Sequence, residues 1–275
     1  MLDVSDTRRA FSAYLDRLID GLTARPDVTG LVLAGSTADR ARVDEWSDHD
    51  FLVTTVSEQA AETMRTNLAW LPDAETLVIA VREGAHGLKC VYENGAVLEF
   101  AVFAPGELLL AHANDFEVAL DRGGIGAAMR EVAAKPKPLG STSPEAHAQL
   151  FLAHLLIGVG RARRGELLSA GQSVRSHALG SLLALHRQVV VGGADARLDD
   201  LDAYRRLETV HPDFAALLER ALERDPERAA RSLLYLAVTS GVTGWRGWPV
   251  AAERAVRERL GWPMDAPQEE RRPSH

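Results

Sequence analysis

A proline-bearing segment at residues 135–144, KPKPLGSTSP, divides the chain into two parts with different sequence patterns. Its prolines remove backbone donors and disfavour helix, as in a linker. Before it, short apolar runs are separated by turn signals, whereas after it almost every run has helical spacing. This change predicts one domain at residues 1–138, a second at residues 139–262, and a polar, disordered tail at residues 263–275.

The first part mixes helix-like and strand-like runs. Residues 5–23 carry apolar side chains at intervals of three and four, which predicts an amphipathic helix, and Ser57 is suited to cap a second helix over residues 58–71. Short apolar or β-branched runs predict strands at residues 28–34, 50–56, 75–81, 88–92, 97–103 and 116–120. The expected fold is an α/β domain, with a sheet and helices, followed by an all-α helical bundle.

Composition excludes several classes of protein. The chain has 275 residues, of which 46% are hydrophobic and 25% charged, as in ordinary globular proteins. Its net charge of -8 argues against a protein that neutralises many phosphates, so no nucleic-acid polymer is expected as a partner. Cys90 is the single cysteine, and neither a signal-peptide pattern nor a bilayer-length apolar run is present, so we expect a reducing cytoplasm and no membrane. The oligomeric state is left open.

The most informative residues surround an Asp-x-Asp pattern. Asp48 and Asp50 precede or begin a predicted strand, whose alternation directs both carboxylates to one face. Such a pair is often merely solvated, but here Gly35 and Ser36 follow a buried strand, where a missing side chain lets a phosphate approach backbone amides. Glu99 is an acid within the apolar run VLEFAV, where a lone charge is costly unless paired. Together the three acids would suit magnesium, whose preferred ligands are oxygens.

These residues resemble the nucleotidyltransferases of the DNA polymerase β superfamily. The resemblance lies in the apolar strand, the Gly-Ser pair, a spacer of about ten residues, two acids flanking one residue, and a third acid, Glu99, on a later strand. The stretch DEWSDHDF is most similar to the antibiotic nucleotidyltransferases, which modify aminoglycosides and lincosamides and carry a helical C-terminal domain. The resemblance implies a mixed sheet in the first domain.

The resemblance also implies a reaction. Asp48, Asp50 and Glu99 would bind two Mg²⁺ ions and act in catalysis, while Gly35 and Ser36 would contact ATP or another nucleoside triphosphate. A nucleoside monophosphate, AMP if the donor is ATP, would pass to a hydroxyl of a small, aminoglycoside-like acceptor, an activity associated with antibiotic resistance. Two alternatives stay open: an antitoxin-like nucleotidyltransferase that modifies a protein, and a non-catalytic nucleotide-binding regulatory module.

Two further residues have competing interpretations. His49 replaces the apolar residue usual between the two acids of the family, and alternation directs its side chain to the opposite, core-facing side, so we expect a hydrogen-bonded structural histidine. Arg175 lies on the predicted helix at residues 166–190, in a stripe with Leu168 and His186. Arg175 is predicted either to hold the triphosphate at the domain cleft or to form a buried ion pair within the bundle.

Overall fold

The computed structural model describes residues 4–38, 40–113, 115–135, 142–191, 198–199 and 201–263. The chain divides into two compact units, residues 1–135 and residues 136–275. The predicted domain boundary between residues 138 and 139 lies outside the described residues, and so does the predicted disordered tail from residue 264 onward.

The first unit is built on one six-stranded mixed sheet. Its strands are β1 (Val28–Ala34), β2 (His49–Thr55), β3 (Leu77–Glu83), β4 (Gly87–Tyr92), β5 (Val97–Phe103) and β6 (Phe116–Asp121). Their order is β3-β4-β5-β2-β1-β6. Only the central β2–β5 pair is parallel, and the other neighbours are antiparallel. The mixed sheet predicted for the first part is therefore confirmed.

Helices cover the two faces of this sheet unequally. The helices of the unit are α1 (Val4–Thr23), the single turn α2 (Gly35–Ala38), α3 (Glu58–Thr66) and α4 (Ile125–Ala134). Side chains of α1 and α3 join one core with alternate residues of the strands, among them Leu18, Met64 and Phe100. The other face forms a smaller core in which Met129 of α4 packs with Val32 of β1. Strand alternation thus gives each core its own set of side chains.

Two predicted boundaries were wrong in the same region. The helix predicted over residues 58–71 ends at Thr66, because Asn67 adopts the extended conformation at φ -120° and ψ 107°. The strand predicted from residue 75 begins at Leu77, because residues 74–76 form a turn of 3-10 helix. In both places local turn geometry shortens the regular element relative to the prediction from hydrophobic pattern.

The second unit is helical throughout its described part, apart from turns and loops, which confirms the predicted fold class. Its helices are α5 (Pro144–Arg163), α6 (Leu167–Gln172), α7 (Leu179–Val189), α8 (Leu207–Val210), α9 (Pro212–Leu222), α10 (Pro226–Thr239) and α11 (Val250–Leu260). Ser143 caps α5 and Asp225 caps α10. Phe151, Leu182 and Leu233 lie in their common core. Among the described residues no helix has the length and apolar character needed to cross a bilayer.

The predicted helix at residues 166–190 is interrupted by a π-helical turn. This turn, Ser173–Ala178, lies between α6 and α7. A π turn holds more residues than an α turn and so rotates the phase of the side chains that follow. Leu168 is consequently 93% exposed while His186 is 7% exposed, so the single stripe predicted through both residues was wrong.

Candidate metal centre

Three acidic side chains meet at the start of the central strand pair of the first unit. In the parallel β2–β5 ladder, Asp50 lies directly opposite Glu99, and Asp48 immediately precedes β2. Each residue offers a carboxylate oxygen, and these three oxygens lie within 4.8 Å of one another. All three residues are partly buried and retain access to solvent. The structure therefore brings together the three acids that the sequence singled out.

Thr37 of α2 fixes the backbone that carries the two aspartates. Its side chain is fully buried, and its hydroxyl oxygen accepts a hydrogen bond of 2.8 Å from the backbone N–H of Asp50. The same hydroxyl donates to the carbonyl oxygen of Asp48 at 3.5 Å, a weak contact. The turn after β1 is thereby tied to the first residues of β2. Sequence reasoning missed Thr37, although its place two residues after Gly35 was a usable signal.

Gly35 provides space beside one of the carboxylates. Its backbone has a φ of +56°, and a Cβ atom at this position would lie 2.5 Å from Oδ2 of Asp50. Glycine is required here both by the left-handed conformation and by the close approach of the carboxylate. Ser36 also belongs to α2, but its side chain lies outside the described part of the structure. Phosphate contacts of Gly35 and Ser36 stay predictions.

Lys89 is a second residue that the sequence did not identify as part of the site. It is the cross-strand neighbour of Glu99 in the β4–β5 ladder, and its ammonium nitrogen lies 3.1 Å from Oε1 of Glu99 and 3.3 Å from Glu83. The bonded carboxylate of Glu99, together with Glu83, raises the pKa of Lys89. The ammonium group thus remains charged and offsets part of the negative charge of the site. Glycine at residue 95 in an Asn-Gly hairpin was the available signal that β4 and β5 are paired.

His49 points away from the acids, as alternation predicts. Its ring is 5% exposed and stacks on Phe11, with centroids 3.7 Å apart and an interplanar angle of 9°. Its Nε2–H donates to the carbonyl oxygen of Phe11 at 3.2 Å. Burial lowers the pKa of His49 to about 4, so the ring is neutral at pH 7. A structural role for His49 agrees with these contacts.

Arg175 lies in the second unit and binds backbone rather than carboxylate groups. Its Nε donates to the carbonyl of Leu222 at 3.1 Å, and one of its terminal nitrogens donates to the carbonyl of Arg224 at 2.7 Å. Carbonyls at a helix C-terminus lack intrahelical partners, so the guanidinium group caps α9. The side chain is exposed, so the buried ion pair considered for it was wrong. A contact of Arg175 with a triphosphate stays a prediction.

A glycine-rich turn elsewhere in the first unit has backbone amides that already bind a side chain of the protein itself. The carboxylate of Asp121 accepts hydrogen bonds from the backbone N–H groups of residues 123–126, at 2.8 to 3.1 Å. These bonds lower the pKa of Asp121 to about 2. An anion-binding nest of amides is therefore already occupied. The segment serves as a turn before α4.

The chemistry of the donor set fits a divalent cation. Three carboxylates supply only oxygen ligands, which suits Mg²⁺ rather than a metal that prefers sulfur or imidazole. The absence of a side chain at Gly35 lets the carboxylate of Asp50 lie against the turn after β1. Lys89 is 42% exposed and is able to move when a cation enters. The arrangement is able to hold a divalent cation through carboxylate oxygens.

Comparisons with known proteins give matches only among solved structures. No protein-family model and no curated protein matches the chain. A nucleotidyltransferase-like protein from Exiguobacterium sibiricum is 14% identical, with 90% of this chain and 80% of that chain covered and a TM-score of 0.37. An aminoglycoside 6-adenyltransferase from Bacillus subtilis is 12% identical, with 92% of both chains covered and a TM-score of 0.29. The Thermotoga maritima CCA-adding enzyme, complexed with tRNA, is 13% identical, with 96% of this chain and 70% of that chain covered and a TM-score of 0.34.

The identities and TM-scores are low, so the chemistry of this chain is inferred below from its own residues.

Proposed function

We propose that this chain is a metal-dependent nucleotidyltransferase that moves a nucleoside monophosphate, AMP from ATP, onto a hydroxyl of a small molecule. The observation that supports this most is the convergence of Asp48, Asp50 and Glu99, whose carboxylate oxygens lie within 4.8 Å of one another. Three carboxylates gathered this closely at a solvent-accessible site form a set of oxygen ligands suited to a divalent cation. In the proposal the Gly35-Ser36 turn beside them contacts the phosphates of the nucleotide.

In this proposal Asp48, Asp50 and Glu99 hold two Mg²⁺ ions. When bound, these ions neutralise charge on the α-phosphate and on the departing pyrophosphate. Thr37 keeps the backbone of Asp48 and Asp50 in register, so that both carboxylates stay oriented. Glu99 has a second role, since its carboxylate accepts the proton of the attacking hydroxyl.

The proposed reaction is a single displacement at the α-phosphorus of the nucleotide. The acceptor oxygen forms a bond to the α-phosphorus of the nucleotide, and the bond between that phosphorus and the oxygen bridging to the β-phosphorus breaks. Pyrophosphate leaves with the electron pair of that bond, and the hydroxyl proton passes to Glu99. Lys89 lies 3.1 Å from Glu99 and loses part of its ion pair when that carboxylate is protonated.

The acceptor that we propose is an aminoglycoside-like antibiotic, which links the activity to antibiotic resistance in the cytoplasm. An excess of 39 acidic over 31 basic residues suits a cationic acceptor better than a polyanion such as tRNA. The decisive experiment incubates the protein with Mg²⁺ and each of the four nucleoside triphosphates, against a panel of aminoglycosides and lincosamides, and measures pyrophosphate release. Total protein and tRNA serve as competing acceptors in the same experiment.

Variants test the role of the acids. Asp48→Asn and Asp50→Asn should each lower turnover by at least about 10²-fold while the fold, followed by circular dichroism, stays intact. Asp20→Asn is the matched control, because Asp20 is an exposed acid on α1, which packs on the opposite face of the sheet. Turnover of both site variants at the level of the Asp20 control would contradict the proposal. Label transferred to protein, or nucleotide binding without turnover on any acceptor, would instead favour the antitoxin-like enzyme or the regulatory module.

A further inference from the structure

A cavity lies in the first unit, separate from the three acids of the candidate metal centre. Its volume is about 590 Å³, and none of the carboxylates of the candidate metal centre lines it. Its walls come from α1, from the loop before β2, and from the turn between β4 and β5. Pockets for small molecules commonly have volumes of about 300 to 1,000 Å³. The cavity, which we call the α1 pocket, is large enough for a ligand of that kind.

Aromatic rings form much of the wall of the α1 pocket. Tyr14 and Tyr92 line it with their hydroxyl groups already satisfied, because Tyr14 donates to Tyr92 at 2.9 Å and Tyr92 donates to the carbonyl of Pro72 at 2.7 Å. A ligand therefore meets their rings rather than free hydroxyls. Trp46 also lines the pocket, and its side chain is 87% exposed. An indole so exposed offers a π-face to a bound molecule.

The charge of the α1 pocket is negative. Asp44, Glu45 and Asp73 line it together with one basic residue, Arg17. Arg17 is already paired with Asp73 at 2.5 Å, which leaves the carboxylates of Asp44 and Glu45 in excess. Asp44 binds the backbone N–H of Trp46 and the hydroxyl of Ser47, so it holds the loop that presents both acids. Glu45 has no ion-pair partner in the part of the chain that the structure describes.

Two further features belong to the wall of the α1 pocket. His49 lines the pocket and is 5% exposed, and its Nδ1 has no hydrogen-bond partner among the described residues. Because its Nε2–H is committed to the carbonyl of Phe11, Nδ1 is an unpaired acceptor buried within this wall. The guanidinium of Arg17 already lies 5.8 Å from the centroid of the Tyr14 ring, so one cation is bound over this wall within the protein itself.

We infer that the α1 pocket binds an organic cation with an aromatic or alkyl body, whose ammonium group faces Asp44 and Glu45 and whose apolar part packs on Trp46 and Tyr14. Negative charge and π-faces at one wall both favour a cation over a neutral molecule of the same shape. The site is independent of the proposed nucleotidyl transfer, because it uses none of the three acids. Its ligand is expected to bind without nucleotide and without Mg²⁺.

The test is calorimetry on the full chain, free of nucleotide and metal, with three probes of similar shape. These are 2-phenylethylammonium, 2-phenylethanol and 3-phenylpropionate, which are a cation, a neutral molecule and an anion. The cation should bind at least about fivefold more tightly than the alcohol, and the anion should not bind. Equal affinity for cation and alcohol, or no binding of the cation, would overturn the inference.

Variants at exposed positions locate the binding without disturbing the core. Ala10 lines the pocket from the exposed side of α1, so Ala10→Lys should weaken binding of the cation and Ala10→Glu should strengthen it. Glu45→Gln and Trp46→Ala should each weaken it by at least about threefold. An affinity that none of the four substitutions changes would place the cation elsewhere and overturn the assignment. Loss of nucleotidyl transfer in Asp50→Asn leaves binding of the cation unchanged, so the two proposals fail separately.

Discussion

Replacement of Gly35 by alanine gives a sharp test of the candidate metal centre. The added Cβ would lie 2.5 Å from Oδ2 of Asp50, whereas an ordinary van der Waals contact needs at least 3.4 Å, so the carboxylate oxygen must retreat by about 0.9 Å. A misplacement of about 1 Å in a catalytic group costs on the order of 10²-fold in rate. The left-handed conformation, at a φ of +56°, adds a backbone penalty of about 1–2 kcal/mol for alanine.

The assay for Gly35→Ala measures pyrophosphate release and, independently, Mn²⁺ affinity by electron paramagnetic resonance. We expect a loss of about 10²-fold in kcat/KM and weaker metal binding, because Asp50 is displaced. Gly84→Ala is the matched control, since Gly84 has a φ of +70° and a Cβ added there would meet no atom within 4 Å. It should lose similar stability to urea but keep its activity and metal affinity. If the two variants behave alike in both assays, the carboxylate of Asp50 is not part of a metal site.

Three other perturbations probe the same region. Thr37→Val should destabilise the first unit by about 1–3 kcal/mol in urea unfolding, because the buried N–H of Asp50 loses its acceptor. Thr37→Ser keeps the hydroxyl and should remain near wild type. Equal stability of the two variants would refute the role of the Thr37 hydroxyl as that acceptor. Lys89→Gln should tighten Mg²⁺ binding up to about fivefold in calorimetry, because the ammonium group 3.1 Å from Glu99 no longer competes with the cation for that carboxylate. Weaker binding would show instead that Lys89 assists the metal. His49 has a pKa of about 4 in the folded protein against 6.5 in the unfolded chain, so the free energy of unfolding should fall by up to about 3 kcal/mol as the pH falls from about 6.5 to 4. His49→Phe should flatten this pH dependence. An unchanged pH dependence would contradict burial of a neutral ring.

Local sequence signals were sufficient for most of the regular structure of the first unit. The strand at residues 97–103 was predicted at the bounds that the structure has, because the run there is almost entirely apolar and an Asn-Gly pair precedes it. The orientation of His49 away from the acids also followed from alternation alone. The C-terminal end of α3 and the start of β3 were not predicted, because short turns there depend on backbone conformations that the apolar pattern does not record.

The sequence identified the acids of the candidate site but not the residues that support them. Asp48 and Asp50 stood out as an Asp-x-Asp pair after the Gly35-Ser36 turn. Glu99 stood out because a charge in an apolar run needs a partner. Thr37 and Lys89 did not stand out in the sequence. A threonine hydroxyl and a lysine on a strand are both common, and neither carries a desolvation cost when it is exposed to solvent. Of the two interpretations of Arg175, the buried ion pair was wrong, because a π turn changes the helical phase in a way that the spacing of apolar residues does not reveal.

The sequence by itself determined which residues form strands and helices, which faces are apolar, and which acids are too costly to leave alone. These properties depend on neighbours a few residues apart, through alternation, helical periodicity and capping. Tertiary structure decided that β5 lies parallel to β2 with Glu99 opposite Asp50, that Lys89 faces the same acid from β4, and that α1 forms a pocket with distant loops. Apart from the β4–β5 hairpin, which an Asn-Gly pair indicates, strand order and register bring together segments far apart in the chain. They are selected by packing of the whole sheet and its helices, so no local pattern encodes them.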